Sequence, residues 1–339
     1  MSTPVATDSI IALVAVTEDC APVSPPVVAS RPLAKRRRRR RRLTIAVRDR
    51  AVGLIARLAV RVFSHTSPVT TARLARAAGT VTYHLARKER AQALSNLARA
   101  YAGGLRPRER RALARAAFQS VAMTVAEAVA ALRWREDDLR DRVRVDGIDH
   151  CRAALARGQG VVFVAAHLGS WELVPLALRH HLDLAVAAVA RDIRNPWLHE
   201  AVRDVRARLG VRVYSRDGRE LGYLRTLTRG GGVILMADQD TRHVRCTRVH
   251  FFGQVARAPL GPAHLARRTG AALVPIFLAR AADSATGFVL RCHRPVLADL
   301  SLDEDADLCR MLQAVTDVLE AEIRRAPGQW VWMHRRWRA

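Results

Sequence analysis

The apolar run Val161 to Ala166 stops at His167, a glycine stands at 169, and Glu172 follows five positions after the histidine. A histidine and a carboxylate held at the end of a buried strand can act as a general base and the group that orients it. The same pair can instead be a capping histidine and a first-turn glutamate favoured by the helix dipole. Pro175 places a helix start close by, because proline is tolerated in a first turn. Asp238-Gln239-Asp240 closes a second apolar run, Val233 to Ala237, and Arg191 closes a third, Leu184 to Ala190. Open α/β sheets keep their chemistry outside the carboxyl ends of their strands, so these residues should share one edge.

The elements that must position them follow from the patterning. The six uncharged residues Val161 to Ala166 read as a strand buried on both faces. From about Val143 onward, strands alternate with helices. Strands are expected at 143–145, 161–166, 184–190, 211–214, 233–237, 271–278 and 288–292, with helices at 149–157, 196–209, 218–228, 259–269 and 303–325. That alternation predicts an α/β fold with a mainly parallel central sheet flanked by helices. Upstream, residues 70 to about 140 carry no strand signal. Arg87 to Tyr101 reads as one helix, broken by Gly103-Gly104, and Pro107 opens another that runs to about Trp134.

Length and charge bound the rest. The chain has 339 residues, half of them apolar, which is enough for a full core. Its formal net charge is +26, and only Lys35 and Lys88 of its 57 basic residues are lysines. That balance favours anionic partners: nucleic acid, anionic lipid headgroups or an acidic carrier protein. No nucleic-acid partner is expected, since 5% of residues are aromatic and they do not interleave with the basic ones as a stacking platform requires. The five cysteines (20, 151, 246, 292 and 309) are scattered, with no C-x-x-C, which argues against a disulfide framework or a structural zinc and for a reducing compartment. His180, His181, His199, His243, His250 and His264 lack a matching Cys and carboxylate set, so no metal is expected.

The N-terminus reads as a membrane-surface device. Residues 1 to about 34 are rich in Ser, Thr, Pro, Ala and Val without amphipathic period, as in a disordered tail. Lys35 to Arg42 is an unbroken run of eight cations. Leu43, Val47, Leu54, Ile55, Leu58 and Val62 then recur at helical spacing, with Arg50, Arg57 and Arg61 on another face. A basic amphipathic helix beside a polybasic run suits an interfacial segment. The apolar piece Ile10 to Val16 precedes the basic run, the reverse of a signal peptide, and no stretch approaches the roughly 20 apolar residues of a spanning helix. The expected organisation is a disordered basic tail over 1–42, an N-terminal helical membrane-associating region over 43–142 and an α/β domain over 143–339.

Taken together, His167-Leu-Gly-Ser-Trp-Glu172, Arg191 with Asn195-Pro196, Asp238-Gln-Asp240, Phe251-Phe-Gly253 and Trp330-Val-Trp-Met-His-Arg-Arg-Trp337 resemble the bacterial lipid A biosynthesis acyltransferases, of the lysophospholipid acyltransferase superfamily. Arg87-Lys-Glu-Arg with Asn96-Leu97-Ala98 resembles that family's helical block, and the likeness covers about residues 45 to 337. Two departures stand out. The segment matching the family's hydrophobic anchor is broken by Arg48, Asp49, Arg50, Arg57 and Arg61, and Ser170 stands where the family commonly has Asn.

The resemblance implies a membrane O-acyltransferase whose 143–339 domain moves a fatty acyl chain from acyl carrier protein, or acyl-CoA, to a lipid A-type glycolipid hydroxyl. His167 would be the general base and Glu172 would hold its imidazole. Negative charge on the thioester oxygen would be met by backbone N–H groups near Gly169 or by an arginine. Arg191 and Arg206 match basic positions of the family and suit acceptor phosphates. Asp238, with Asp240 beside it, would position substrate or brace an arginine, unless it is a turn residue. No cofactor is implied beyond the acyl donor. The partners implied are an anionic membrane surface, the carrier protein and the lipid acceptor, at the cytoplasmic face of a bacterial inner membrane. Acceptors left open are a phosphatidylinositol mannoside, a lysophospholipid or an aminolipid. A basic nucleic-acid-binding protein is the reading from a different class.

Overall fold

The computed structural model describes residues 49–216, 222–240, 244–284 and 286–337. The tail expected over 1–42 and the first turn of the helix expected from Leu43 lie outside the described residues. The α/β part carries strands β1 (Val143–Asp146), β2 (Val161–Ala165), β3 (Val186–Ala190), β4 (Arg212–Ser215), β5 (Gly232–Met236), β6 (Cys246–Phe251), β7 (Gln254–Pro259), β8 (Ala272–Arg280) and β9 (Phe288–Cys292). Seven of them form one sheet in the order β1-β9-β8-β2-β5-β3-β4. Only the β8–β9 pairing is antiparallel. Strand β2 is the middle one, and every residue of it is buried, as its unbroken apolar run requires.

Helices cover both faces. They are α1 (residues 49–63), α2 (Pro68–Leu85), α3 (Arg87–Ala100), α4 (Pro107–Ala130), α5 (Glu136–Arg142), α6 (Ile148–Leu155), α7 (Val174–Leu182), α8 (Pro196–Arg208), α9 (Gly222–Thr228), α10 (Gly261–Thr269) and α11 (Glu304–Arg325). Their starts are chemically marked. Ser67 caps α2 by accepting from the Thr70 amide, with Pro68 in the first turn. Asn195 caps α8 by accepting from Leu198, with Pro196 next, and Asp303 caps α11 through the amides of Asp305 and Ala306.

The core sits on both sides of β2. On one face, Val162 and Val164 pack with Leu97 and Phe118 of the helical layer, with Leu308 and Leu312 of α11, and with Trp330 and Trp332 near the C-terminus. On the other, Phe163 and Ala165 pack with Leu173, Leu178, Val274 and Leu290. The N-terminal helices therefore share one core with the sheet.

Two differences from the sequence reading bear on the site. Strand β8 runs to Arg280, two residues past the expected end. Residues 246–259, read only as a block before a helix, form a β6–β7 hairpin with the two-residue turn Phe252-Gly253. Both turn residues have positive φ, +51° and +67°, which suits glycine and is rare for an aromatic. Packing supplies the compensation, since the Phe252 ring meets Phe251 at 4.8 Å and Trp332 at 5.8 Å between ring centroids, under the Arg324 guanidinium.

Phe163 fills the centre of this core with no exposure. Phe163→Ala is expected to lower unfolding free energy by about 3–5 kcal/mol, read from denaturant midpoints at an unchanged slope.

Candidate active site

Register places the first two site residues. Strands β2 and β5 pair in parallel with Ala165 opposite Met236, so two residues further on His167 and Asp238 leave the same edge side by side. His167 Nδ1 and Asp238 Oδ1 lie 2.9 Å apart, and the His167 backbone N–H donates to Asp238 Oδ2 at 3.0 Å. Trp330 Nε1 also donates to Oδ2, at 3.0 Å. Three donors thus surround a carboxylate that is 1% exposed. With Nδ1 committed to Asp238, Nε2 is the nitrogen left to take a proton from an incoming group.

The sequence reading gave Glu172 the task of holding the imidazole. The structure gives that hydrogen bond to Asp238 instead. The chain turns after His167 into a short 3₁₀ turn at Trp171–Leu173, which directs Glu172 toward α8. There Arg206 grips it with Nε and Nη2 at 2.9 and 2.7 Å, and Trp171 Nε1 adds a donor at 3.3 Å. Glu172 acts on His167 through space. Burial disfavours the imidazolium, but Asp238 and then Glu172 outweigh it, against Arg206, and His167 is held above its ordinary 6.5. Burial likewise opposes ionisation of Asp238, yet His167 and the surrounding donors bring it down to about 2. Glu172 is held below its ordinary value despite burial, chiefly by Arg206.

Gly169 has a different task from the one the sequence suggested. Three amides of the turn already have acceptors: Leu168 donates to Ala166 at 2.7 Å, Gly169 to Gln329 at 3.0 Å and Ser170 to Leu278 at 2.8 Å. They cannot also receive a developing oxyanion. Gly169 has φ +64°, and a Cβ there would run into the Leu278 carbonyl, so glycine is needed for the close approach of the turn to β8.

Sequence reasoning missed the support beneath this turn. Arg280, at the end of β8, reaches Glu127 of α4 through Nε at 2.7 Å and Nη2 at 2.8 Å. It also donates to the Ser120 and Thr124 hydroxyls, each at 2.8 Å. Ser170 Oγ donates to Glu127 at 2.8 Å, and Thr124 Oγ1 donates to the Gly169 carbonyl at 2.7 Å. A single glutamate on the apolar face of a long helix was the available signal.

The remaining expected residues fall as follows. Arg191 leaves β3 at the same sheet edge, beside Asp238's strand, and is partly buried. Asp240 is 1% exposed and lies 3.8 Å from Arg257, so its carboxylate faces protein rather than an open substrate surface. Arg206 is partly buried and is spent in large part on Glu172. Among the described residues, no group of His, Cys, Asp and Glu could hold a metal ion.

A profile of the family described as bacterial lipid A biosynthesis acyltransferase matches residues 35–339. A Mycobacterium tuberculosis protein named phosphatidylinositol mannoside acyltransferase is 32% identical over 205 residues, 59% of this chain and 61% of the relative. This chain therefore matches under two thirds of that relative's length. The protein of the same name from Mycolicibacterium smegmatis is 30% identical over 229 residues, covering 66% of this chain and 72% of the relative. An Escherichia coli protein named lipid A biosynthesis palmitoleoyltransferase is 27% identical over 222 residues, 65% of this chain and 70% of the relative. The crystal structure of a 1-acyl-sn-glycerophosphate acyltransferase from Thermotoga maritima aligns over 69% of this chain and 88% of its own at 17% identity, with a TM-score of 0.34.

Asp238→Asn removes the larger of the two charges that together outweigh burial at His167. The imidazole midpoint is then expected to fall from above 6.5 to below it, measured by NMR titration of labelled histidine. The same pair sets an acid limit on stability. The contribution of Asp238 is fully present above 3.8 and is lost as pH falls toward about 2, a loss the Asn variant will not show in acid melts.

Proposed function

This chain belongs to the bacterial lipid A biosynthesis acyltransferase family, and on that premise we propose that it transfers a fatty acyl chain from a thioester to a hydroxyl of a membrane glycolipid, with His167 as the general base. The observation that carries this reading is the buried Asp238 carboxylate on His167 Nδ1, which leaves Nε2 to take the proton. The acceptor oxygen attacks the thioester carbonyl carbon as Nε2 takes its proton. The tetrahedral adduct collapses, the C–S bond breaks, and the imidazolium returns that proton to the leaving thiolate. No acyl-enzyme forms, because the nucleophile belongs to the substrate.

An arginine is suited to meet the charge on the adduct oxygen, since the amides of Leu168, Gly169 and Ser170 are already bonded. Arg206 does not use Nη1 in its pair with Glu172, and Arg191 stands on the neighbouring strand end. Both suit an anionic acceptor, with Arg206 offering a phosphate the Nη1 side of a guanidinium whose other edge holds Glu172. The donor is an acyl carrier protein or acyl-CoA thioester. An acidic carrier would be steered by the +26 charge of the chain. The acceptor in the first reading is a lipid A-type glycolipid. A phosphatidylinositol mannoside is the second, favoured by relatives of that name at 32% and 30% identity against 27% for the lipid A enzyme.

The working place is the cytoplasmic face of the bacterial inner membrane. Helix α1 is built for lying on such a surface. Val52 and Ala56 are buried against Leu198 of α8, while Leu54, Ile55, Leu58 and Val62 point outward at 70%, 50%, 60% and 40% exposure. Gly53 permits that seat, because a Cβ there would strike Trp197. Among the described residues, no helix is long and apolar enough to cross a membrane.

Two outcomes follow. Wild type should acylate at least one lipid from a panel of lipid A precursor, phosphatidylinositol mannoside and lysophospholipid, with carrier-protein or CoA thioesters. His167→Gln should lose about 10³-fold in kcat/KM, and the wild-type acid limb should lie above 6.5. No transfer by wild type, or an equally active variant, would overturn the reading. Vesicle sedimentation should show binding to anionic lipid that weakens with salt, at about 1 kcal/mol per basic residue near the surface, and that falls in Leu54→Ser/Leu58→Ser.

A further inference from the structure

Residues 329–337 form a strap laid across the turn that carries His167. The Gly169 amide donates to the Gln329 carbonyl at 3.0 Å, and the Val331 amide donates to the His167 carbonyl at 3.2 Å. Leu168 and Trp330 form an antiparallel bridge. The Gln329 side chain bonds both the backbone N–H and C=O of Arg280, at 2.8 and 3.1 Å. On the outer side, Asn96 of α3 donates to the carbonyls of Trp332 and His334. The strap is thus tied to the turn, to β8 and to the helical layer.

From this strap one side chain reaches the His–Asp pair. The Trp330 indole is 1% exposed, and its ring meets Trp332 at 4.7 Å and Phe251 at 5.7 Å between centroids. Its N–H ends on Asp238 Oδ2 at 3.0 Å, the oxygen that also takes the His167 amide, while Oδ1 faces Nδ1. Two donors on one oxygen and one on the other leave the carboxylate a single orientation. Without the indole, Oδ2 keeps only one donor, and the buried charge is less well satisfied.

We propose that Trp330 is a positioning residue for the general base: its indole N–H fixes the Asp238 carboxylate so that Oδ1 selects and holds the Nδ1–H tautomer of His167. The inference deepens the acyl-transfer reading and rests on it for the reaction that His167 serves. The strap contains its own comparison. Trp332 is also fully buried and also donates through Nε1, at 2.7 Å, but to the Pro327 carbonyl. Losing that bond disturbs the strap without touching the pair.

The sign of the effect follows from the groups present. His167 is faced by Asp238 at the end of β5, by Glu172 on the turn and by Arg206 of α8. Asp238 is faced by His167 and by Arg336 of the strap. The indole is a neutral donor that stabilises the Asp238 anion. Removing it makes the carboxylate more basic, so it holds the imidazolium more tightly.

The test compares full-length wild type, Trp330→Phe and Trp332→Phe by NMR titration of labelled histidine, with His167 assigned through His167→Gln. Trp330→Phe should raise the His167 midpoint by about half a pH unit, roughly threefold in proton affinity, and Trp332→Phe should leave it in place. With an acceptor in hand, kcat of Trp330→Phe should fall about tenfold with KM within twofold of wild type. In wild type, the Trp330 indole N–H resonance should move with the same midpoint as His167, and that of Trp332 should stay flat. This last measurement decides the matter even if the Phe variant does not fold. The proposal is overturned if the Trp330 indole ignores the His167 titration, or if the two Phe variants shift the midpoint alike or not at all. Absence of any acyl transfer by wild type would remove the reaction while leaving the NMR result to decide the role of Trp330.

Discussion

One buried carboxylate organises this molecule. Asp238 is an anion at 1% exposure, and an unpaired charge in such a place is untenable. It is tolerated because the His167 amide, the His167 ring and the Trp330 indole converge on it from two different parts of the chain. Each donor demands something of the fold. The amide and ring require β2 and β5 to pair in their observed register, since a slip of one residue would carry the histidine away from the aspartate. The indole requires the end of the chain to return across the sheet edge.

A second ion pair, part-buried, sets the stage below the first. Arg280 and Glu127 join β8 to α4, and Ser120, Thr124 and Ser170 complete their hydrogen bonds. A pair of this kind gives little net stability against an apolar replacement, because both ions must be desolvated. What it does give is directional. It fixes the turn from Gly169 to Ser170 in one conformation, held from the β8 side and the helix side at once. The third pair, Glu172 with Arg206, tempers this balance: the carboxylate adds to Asp238 in favouring the imidazolium, and the guanidinium alone opposes it.

Much of the fold was legible in the sequence because the central strands β2 and β8 are buried almost throughout and, with β3 and β5, read as short, unbroken apolar runs. The edge that carries His167, Asp238 and Arg191 was legible for the same reason: each residue ends such a run. The partner of the imidazole was not. Glu172 is near in sequence and Asp238 is 71 residues away, and only strand pairing decides which of them reaches Nδ1. The turn after His167 rotates the nearer carboxylate onto Arg206, which no spacing rule encodes. Arg280, Glu127 and the hairpin at 246–259 were hidden for related reasons. Two are single charges whose mates lie on distant elements, and the hairpin turn places a phenylalanine where sequence patterns lead one to look for Asn or Asp.

The helical layer and the chemistry are mechanically one unit. α4 supplies Ser120, Thr124 and Glu127 to the turn after His167, α3 supplies Asn96 to the strap, and α8 carries both Arg206 and the Leu198 seat of α1. Helix α8 thus has α1 packed near its start and the Arg206–Glu172 pair near its end. Partly desolvating Glu127 and Arg280 beneath the turn after His167 is a cost, and the hydrogen bonds from Ser120, Thr124 and Ser170 that fix that turn offset it.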